Sequence, residues 1–246
     1  MSHKAAPVLA IDRLELSFGD YDWAFARTRR AEIDQHFARV RLHKPSLWNG
    51  RVLLMHEYRI EGATLQGSFF ETDFASFMAW RDWGMQEHGA TNGFALAALR
   101  GSDGGYVMGV MGAQTMNAGR IYFPGGTPDP SDVSGDRVDL DGSVRREVVE
   151  ETGLDLSLLD IAPGWLCLPA GAQIALLKPM QARVPAQELC AQIAANLARQ
   201  TDPELANVVV VRGAADISEA MPHFIRTFLR HADDLPNAAQ AREVQP

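Results

Sequence analysis

The sequence predicts an α/β protein with a mixed sheet, preceded by a β-rich N-terminal region. From Gly93 onward, short apolar runs separated by glycines alternate with segments of helical periodicity, a pattern typical of alternating strands and helices. Before residue 90, β-forming residues dominate long stretches of the chain. We therefore divide the 246 residues into a β-rich N-terminal region over 1–90, a second domain over 91–232 and a flexible tail over 233–246.

The N-terminal region contains both strand and helix patterns. Apolar and polar residues alternate over 8–18, which predicts a strand, and a stretch of helical spacing follows Asp20. The Asn49-Gly50 dipeptide is a strong signal for the turn of a type I′ hairpin. Residues 72–84 predict a short helix whose apolar side chains mostly face inward.

The second domain continues with alternating helical and strand patterns. One helix begins after Asp139, whose side chain is well placed to accept hydrogen bonds from the first free N–H groups, and it ends at Gly153. The other predicted elements are strands over 165–168, 173–177 and 208–211, and helices over 186–200 and 217–231. This order of elements supports the α/β class.

The charge balance excludes several classes of partner. Lysine and arginine number 23 and aspartate and glutamate number 31, so the net charge is −8 and the isoelectric point is about 5.3. Such a chain offers no broad basic surface for DNA, RNA or an anionic membrane. We therefore expect a small-molecule partner, no polymeric nucleic acid and no membrane.

The cysteines and the N-terminal residues indicate the cellular compartment. Cys167 and Cys190 form no CxxC pair and have no metal-spaced histidine nearby, so neither a disulfide framework nor a zinc site is indicated. The first residues lack a basic start followed by a long apolar run, and no segment approaches the length of a membrane-spanning run. We expect a cytoplasmic protein.

The predicted helix after Asp139 carries an unusual concentration of acidic residues. Glu147, Glu150 and Glu151 stand at i, i+3 and i+4, so they share one helix face. Like charges at this spacing repel, and a bound cation would compensate them. Carboxylates on a rigid helix suit Mg²⁺ or Mn²⁺, although a solvated acidic face explains an isolated pattern of this kind equally well.

The surrounding residues distinguish between these two interpretations. The segment 146–154, REVVEETGL, matches the pattern R-E-U-x-E-E-x-G-U, where U is aliphatic, and residue frequencies give a chance occurrence on the order of 10⁻⁵. Upstream, Phe123-Pro124-Gly125-Gly126 is similar to the entry of the same motif. The chain thus resembles the Nudix hydrolase superfamily. That resemblance implies a Nudix α/β/α sandwich with a mixed sheet and a Mg²⁺- or Mn²⁺-dependent diphosphatase.

The resemblance also implies roles for individual residues. Glu147, Glu150 and Glu151 would hold divalent ions, and Arg146 would orient a glutamate through a charge-assisted hydrogen bond. The general base would be a glutamate of the motif or an acid from a later loop, for which Glu204 is the candidate and helix capping the competing interpretation.

Four further residues are candidates for substrate binding. Gly125 and Gly126 form the glycine turn that leads into the motif. Arg100 and Tyr122 are candidates for substrate contact, with solvation at a strand end as the alternative for each.

The sequence departs from the Nudix pattern in one place. The usual glutamate six residues after the second glycine corresponds to Asp132, but Arg146 then follows six residues later than expected. Counting back from Arg146 reaches Val138, which cannot replace a carboxylate. Asp132 or Asp136 must therefore partner the arginine if any residue does.

Two resemblances within the superfamily suggest different substrates. The segments RLHKPSLWNG, TDFASFMAWRDWG and GGTPDP resemble the UDP-glucose-cleaving branch, which implies a nucleotide sugar cut to a nucleoside monophosphate and a sugar 1-phosphate. The segment FPGGTPDPSD resembles the coenzyme A diphosphatases, but the basic upstream element expected there is absent.

Two non-enzymatic interpretations stay open. The altered spacing before Arg146 is compatible with a Nudix sensor that binds a nucleotide without turning it over, although the retained helix glutamates favour an enzyme. The β-rich region over 1–90 is also suited to forming a homodimer by sheet pairing.

Overall fold

Two mixed β-sheets and six α-helices form the part of the chain described by this computed structural model, residues 8–86 and 89–232. The predicted tail over 233–246 lies outside the described residues. The predicted α/β class with a mixed sheet is confirmed. The helices are α1 (Ala24–Thr28), α2 (Arg30–His43), α3 (Phe74–Asp82), α4 (Leu140–Thr152), α5 (Ala186–Leu197) and α6 (His223–His231).

The strands divide between a central sheet and an N-terminal sheet. In chain order they are β1 (Leu9–Ile11), β2 (Arg13–Phe18), β3 (Arg51–Glu61), β4 (Thr64–Asp73), β5 (Asn92–Arg100), β6 (Tyr106–Met111), β7 (Ile121–Tyr122), β8 (Gly125–Gly126), β9 (Val133–Ser134), β10 (Arg137–Val138), β11 (Leu159–Ile161), β12 (Trp165–Ala170), β13 (Gln173–Ala182) and β14 (Leu205–Val211). The central sheet has the main order β1-β12-β13-β5-β6-β14, and the N-terminal sheet has the order β3-β4-β2-β10-β9.

The central sheet is built around the parallel pair β5 and β13. Their residues are mostly buried, as expected for strands covered on both faces. The short strands β7 and β8 pair with β6 and β5, and they lead the chain toward α4. This arrangement places the glycines of β8 directly beside the central strand of the sheet.

The chain before residue 90 and the chain after it each contribute strands to both sheets. β1, at the start of the chain, pairs antiparallel with β12 of the central sheet. β9 and β10 lie far later in the chain, yet β10 pairs with β2 of the N-terminal sheet through Arg137 and Ser17. The chain therefore passes between the two sheets four times, after β1, β4, β8 and β10.

The predicted hairpin at Asn49-Gly50 is wrong. No strand leads into this dipeptide, because α2 ends at His43 and residues 44–48 form a turn and loop. β3 pairs instead with β4 through a turn at Gly62, whose φ is +57°. Asn49 Oδ1 accepts a hydrogen bond of 2.7 Å from the N–H of Ala75, and the carbonyl of Gly50 accepts one of 2.8 Å from the N–H of Phe74. The dipeptide thus holds the start of α3.

Most of the other sequence predictions hold with shifted ends. The helix expected over 72–84 is α3, and the strands expected over 165–168, 173–177 and 208–211 are β12, β13 and β14. The final helix begins at His223 rather than near residue 217, because Pro222 occupies its N-cap position and suits a helix start. Within the described residues, no helix is long and apolar enough to cross a membrane.

Candidate active site

Helix α4 is fixed at both ends and along one side. The Asp139 side chain accepts a hydrogen bond of 2.9 Å from the N–H of Gly142, as predicted, and Gly153 ends the helix in the left-handed conformation with φ +66°. Val144 and Val148 are completely buried in the core. These contacts fix the rotation of the helix and therefore the direction in which its glutamates point.

Asp132, and not Asp136, partners Arg146. Nη1 of Arg146 lies 2.7 Å from Oδ1 of Asp132, whose side chain is only 1% exposed. Oδ2 of Asp132 accepts a second hydrogen bond of 3.0 Å from the N–H of Asp129. Both carboxylate oxygens are therefore engaged, and the guanidinium is held beside the acidic face of α4.

The six extra residues form a small hairpin, and the two ends of this hairpin lie next to each other. β9 and β10 pair with each other across a turn at Gly135, whose φ is +64°. At the base of the hairpin, the N–H of Asp139 donates to the carbonyl of Asp132 at 2.8 Å. The insertion therefore leaves Asp132 next to the start of α4 and within reach of Arg146.

Three carboxylates line a single cleft of about 700 Å³. They belong to Glu147 and Glu151 of α4 and to Glu204, which precedes β14. Oε1 of Glu151 accepts a hydrogen bond of 3.1 Å from the N–H of Gly125, whereas Oε2 is buried and receives no hydrogen bond from a donor group of the described residues. Burial, reinforced by the charge of Glu204, raises the pKa of Glu151 to about 9. The carboxyl group of Glu147 lies within hydrogen-bonding reach of Glu151, and this contact also raises the pKa of Glu151.

The pKa values of the other two carboxyl groups in the cleft are also raised. Burial raises the pKa of Glu147, partly offset by Arg146, one of whose guanidinium nitrogens lies 3.2 Å from Oε1 of Glu147. Burial and the nearby charge of Glu150 also raise the pKa of Glu204. Without a cation, this group of carboxylates therefore favours protonated forms.

Glu150 occupies a different position from the other helix glutamates. Its side chain is 61% exposed, it does not line the cleft, and its Oε1 lies 3.8 Å from Nε of Arg146. The structure thus brings Glu147, Glu151 and Glu204 together, with Glu150 at the solvent side of Arg146.

Gly125 and Gly126 line the cleft beside the carboxylates. Gly125 has a φ of +126°, and a Cβ at this position would lie 2.3 Å from the carbonyl oxygen of Ala95 on β5. Only glycine combines this conformation with such a close approach to the neighbouring strand. A Cβ at Gly126 would meet nothing within 4 Å.

The structure separates the two predicted substrate contacts, Arg100 and Tyr122. Tyr122 lines the cleft, and its hydroxyl accepts a hydrogen bond of 2.9 Å from Nδ2 of Asn117. Arg100 does not line the cleft: its Nε donates to the carbonyl of Gly104 at 3.1 Å, and its guanidinium lies 5.3 Å from the ring centroid of Tyr106. Arg100 belongs to the end of β5 that continues into the turn before β6.

Both halves of the chain contribute further cleft residues that the sequence motifs do not indicate. Phe74 and Phe77 of α3 come from the N-terminal half, and Phe224 of α6 stacks edge-on against Phe94 of β5 at 5.1 Å. Arg226 of α6 also lines the cleft. Their only sequence signal is position on an amphipathic helix or buried strand, which does not distinguish a cleft wall from the core.

The donor set of the cleft fits a hard divalent cation. Carboxylate oxygens are suitable ligands, and the unpartnered Oε2 of Glu151 is a buried atom that a cation would satisfy. Across residues 8–86 and 89–232, no three His, Cys, Asp or Glu side chains are close enough together to form a metal centre as they stand. Glu147 and Glu151 are already close enough to hydrogen-bond, so two of the carboxyl groups lie together in the cleft.

Comparison with protein-family models gives no match, and comparison with curated proteins gives none either. Among solved structures, the chain is similar to a MutT protein from Methanosarcina mazei Go1, with 21% identity over 58% of this chain and 94% of that chain and a TM-score of 0.36. It is also similar to RenU, a Nudix hydrolase from M. smegmatis, with 14% identity over 58% and 82% of the two chains and a TM-score of 0.36. A third similar structure is DR0079 from Deinococcus radiodurans, with 17% identity over 47% and 75% and a TM-score of 0.27. Because these identities and TM-scores are low, we argue the function from the site itself.

Proposed function

We propose that the chain is a Nudix-type hydrolase that cleaves the diphosphate bond of a nucleoside diphosphate derivative with Mg²⁺ or Mn²⁺. The observation that carries this proposal is the buried, unpartnered Oε2 of Glu151, in a cleft that it shares with Glu147 and Glu204. Three carboxylates in one partly enclosed site repel one another, so the site is suited to a cation and its anionic ligand.

Each residue of the site has a proposed task. Glu147 and Glu151 hold the divalent cation from within the cleft, Glu150 contributes from the solvent side of the same helix, and Gly125 orients Glu151 through its N–H. Arg146, fixed by Asp132, keeps Glu147 in place through the 3.2 Å contact between their side chains. When bound, a divalent cation offsets the negative charge of the phosphoryl oxygens and favours loss of a proton from the attacking water.

Glu204 is the proposed general base. It lines the cleft on a different segment from the helix glutamates, and burial raises the pKa of its carboxyl group. A carboxylate with a raised pKa is a stronger base near neutral pH than an exposed one. Glu204 would accept the proton of the attacking water at one of its carboxylate oxygens.

The lining of the cleft supports a substrate with ring systems. Phe74 and Phe77 of α3 line the cleft, and so do Phe94 and Phe224, which form an aromatic pair. A volume of about 700 Å³ is within the range of small-molecule sites. We propose a nucleotide sugar as substrate, with a nucleoside monophosphate and a sugar 1-phosphate as products.

Hydrolysis of a substrate panel tests this function. The panel contains UDP-sugars, ADP-ribose, coenzyme A, dinucleoside polyphosphates and 8-oxo-dGTP, each assayed with Mg²⁺ and with EDTA. We expect the highest kcat/KM for a nucleotide sugar and no turnover in EDTA. A preference for coenzyme A or a triphosphate would contradict the assignment of a nucleotide sugar as substrate. If no compound of the panel is hydrolysed, the proposal that the chain is a hydrolase is wrong.

A non-catalytic nucleotide sensor is the second candidate. The observation that favours it is that the described residues contain no three side chains already gathered as a metal centre. A sensor would bind a member of the panel by calorimetry, in Mg²⁺ as in EDTA, without releasing any product. An enzyme would release product, and Glu151→Gln would remove that release.

The proposal of a homodimer rests on the order of the N-terminal sheet. β3 lies at the edge of this sheet. Leu53 and Met55 already hydrogen-bond to Pro128 and Thr91, so a second copy of the strand could pair only with the part of β3 beyond Met55. Sedimentation over a range of concentrations tests it: a dimer that persists on dilution is the expected result, and a monomer at high concentration would contradict it.

A further inference from the structure

Arg226 is a cation of the cleft that forms no ion pair with any other described residue. It lies on α6 and lines the cleft, and its Nε atom is buried without a hydrogen-bond partner among the described residues. Within the same part of the chain, no carboxylate oxygen lies within 4.0 Å of its guanidinium. A buried polar group without a partner destabilises the fold, so its position in a cleft points to a ligand.

The other arginines of the cleft are already engaged. Nη2 of Arg81 forms an ion pair of 3.2 Å with Asp82, and Nη1 of Arg120 donates a hydrogen bond of 3.1 Å to the carbonyl of Glu219. Among the three cleft arginines, Arg226 is the one with a buried guanidinium nitrogen that has no partner among the described residues.

The surroundings of Arg226 indicate what kind of ligand it would bind. The same cleft is lined by Glu151, whose Oε2 is also buried and receives no hydrogen bond from the described residues, so one cavity is shared by a donor and an acceptor that lack partners. An anion would accept from Arg226, and an accompanying divalent cation would bind the ionised carboxylate of Glu151. The planar guanidinium matches phosphate oxygens in particular, because it can donate two parallel hydrogen bonds.

An aromatic pair in the same cleft adds a second requirement. Phe224 of α6 packs against Phe94 with ring centroids 5.1 Å apart, and both rings line the cleft. A cleft that holds both an apolar wall and a guanidinium is suited to a molecule in which a flat ring system is joined to an anionic group, which is the chemistry of a nucleotide.

We propose that Arg226 binds a phosphoryl oxygen of the substrate's diphosphate and thereby selects diphosphate compounds for the cleft. This inference rests on the proposed function, since it names a specificity-determining residue of that same site. It assigns α6 a direct role in recognition, separate from the acidic face of α4.

The test measures equilibrium binding rather than turnover. Calorimetry with α,β-methylene-ADP and with methylenediphosphonate uses probes whose bridging group resists hydrolysis, each in Mg²⁺ and in EDTA. The variants are Arg226→Met, which keeps the length of the side chain without its charge, and Arg226→Lys, which keeps the charge without the planar group that donates two parallel hydrogen bonds. Arg230→Met is the matched control, because Arg230 is an exposed arginine one turn further along α6.

We expect Arg226→Met to weaken binding of both probes by about tenfold or more in Mg²⁺, in EDTA or in both. A loss of this size corresponds to one charged hydrogen-bonding partner. Arg226→Lys should recover part of that loss, and Arg230→Met should bind as the wild type does. Equal affinity of wild type and Arg226→Met, or no binding of either probe by the wild type, would overturn the proposal. Binding that depends on Arg226 in a chain that hydrolyses nothing would keep this site and reject only the hydrolase.

Discussion

The backbone N–H of Gly125 donates a 3.1 Å hydrogen bond to Oε1 of Glu151, and it thereby connects the glycine turn to the acidic face of α4. The turn residue is thus a positioning element for a carboxylate 26 residues further along the chain. Because one oxygen is held by the backbone, the other is left in the cleft with no partner. This relationship explains how a glycine motif and a helix motif form one site.

Replacing Gly125 tests that relationship. In Gly125→Ala the new Cβ would lie 2.3 Å from the carbonyl oxygen of Ala95, at a φ of +126° that alanine adopts poorly. We expect a loss of about 1–3 kcal/mol in the free energy of unfolding and a large loss of turnover, because Glu151 moves with the turn.

Urea denaturation and a Mg²⁺-dependent assay measure the two effects. Gly19→Ala is the control, since a Cβ there meets nothing within 4 Å and the position has no positive φ. A Gly125→Ala variant with wild-type stability and activity would show that the turn does not position Glu151.

The raised pKa of Glu151 predicts an unusual dependence of stability on pH. Its folded pKa is about 9 against an ordinary value of 4.5, so between these values the folded state binds more protons than the unfolded state. The contribution of Glu151 to stability is then complete below about pH 4.5 and is lost as the pH rises toward about 9. We expect the free energy of unfolding in EDTA to fall over this window.

Chemical denaturation at several pH values, in EDTA and in Mg²⁺, measures this slope. Glu151→Gln should flatten it, because glutamine does not titrate, while the exposed Glu188→Gln should leave it unchanged. Mg²⁺ should stabilise the wild type most at high pH. A wild-type slope that survives Glu151→Gln would place its origin elsewhere.

The ion pair between Asp132 and Arg146 predicts different effects for two aspartates of the inserted loop. Asp132 is buried with both oxygens engaged, so Asp132→Asn should destabilise the fold by about 1–3 kcal/mol and lower kcat by misplacing Arg146. Asp136 is exposed, and Asp136→Asn should change either quantity little. Denaturation and steady-state kinetics on both variants provide the comparison. Equal effects of the two changes would contradict the assignment of Asp132 as the partner.

A second ion pair, between a buried lysine and a half-exposed aspartate, fixes the start of α4 to the central sheet. Lys178 is 3% exposed, and its Nζ lies 2.6 Å from Oδ1 of Asp141 and 3.0 Å from the carbonyl of Pro163. Asp141→Asn leaves the buried ammonium without its counter-charge, whereas Lys178→Met removes the ammonium itself. Because solvent screens the half-exposed Asp141, we expect the first change to cost about 1–3 kcal/mol and the second to cost less.

Urea denaturation of both single variants and of the double variant checks this order. The double variant should be more stable than Asp141→Asn alone, because it contains no uncompensated buried charge. A larger loss in Lys178→Met than in Asp141→Asn would contradict the account.

The sequence predicted those parts of the site that depend on local signals. Asp139 and Gly153 mark the ends of α4 through their own capping chemistry, and the spacing of Glu147 and Glu151 decides which helix face they share. The α/β class follows in the same way from short-range periodicity.

The parts that the sequence did not predict depend on contacts between distant segments. Counting residues left Asp132 and Asp136 equivalent, and only the closure of the inserted hairpin decides between them. The Asn49-Gly50 dipeptide has the composition of a hairpin turn, but no strand leads directly into it. Arg226 belongs to no motif, because its importance comes from what α6 is packed against.

The most direct test of the central claim is the initial rate of nucleoside monophosphate release from a nucleotide sugar as Mg²⁺ is titrated, in the wild type and in Glu151→Gln. The account predicts a rate that saturates with Mg²⁺, and a decrease of about 100-fold or more in the variant, with the fold intact. A rate that persists in EDTA, or a Glu151→Gln variant with wild-type turnover, would contradict the claim that Glu151 holds the cation for diphosphate cleavage.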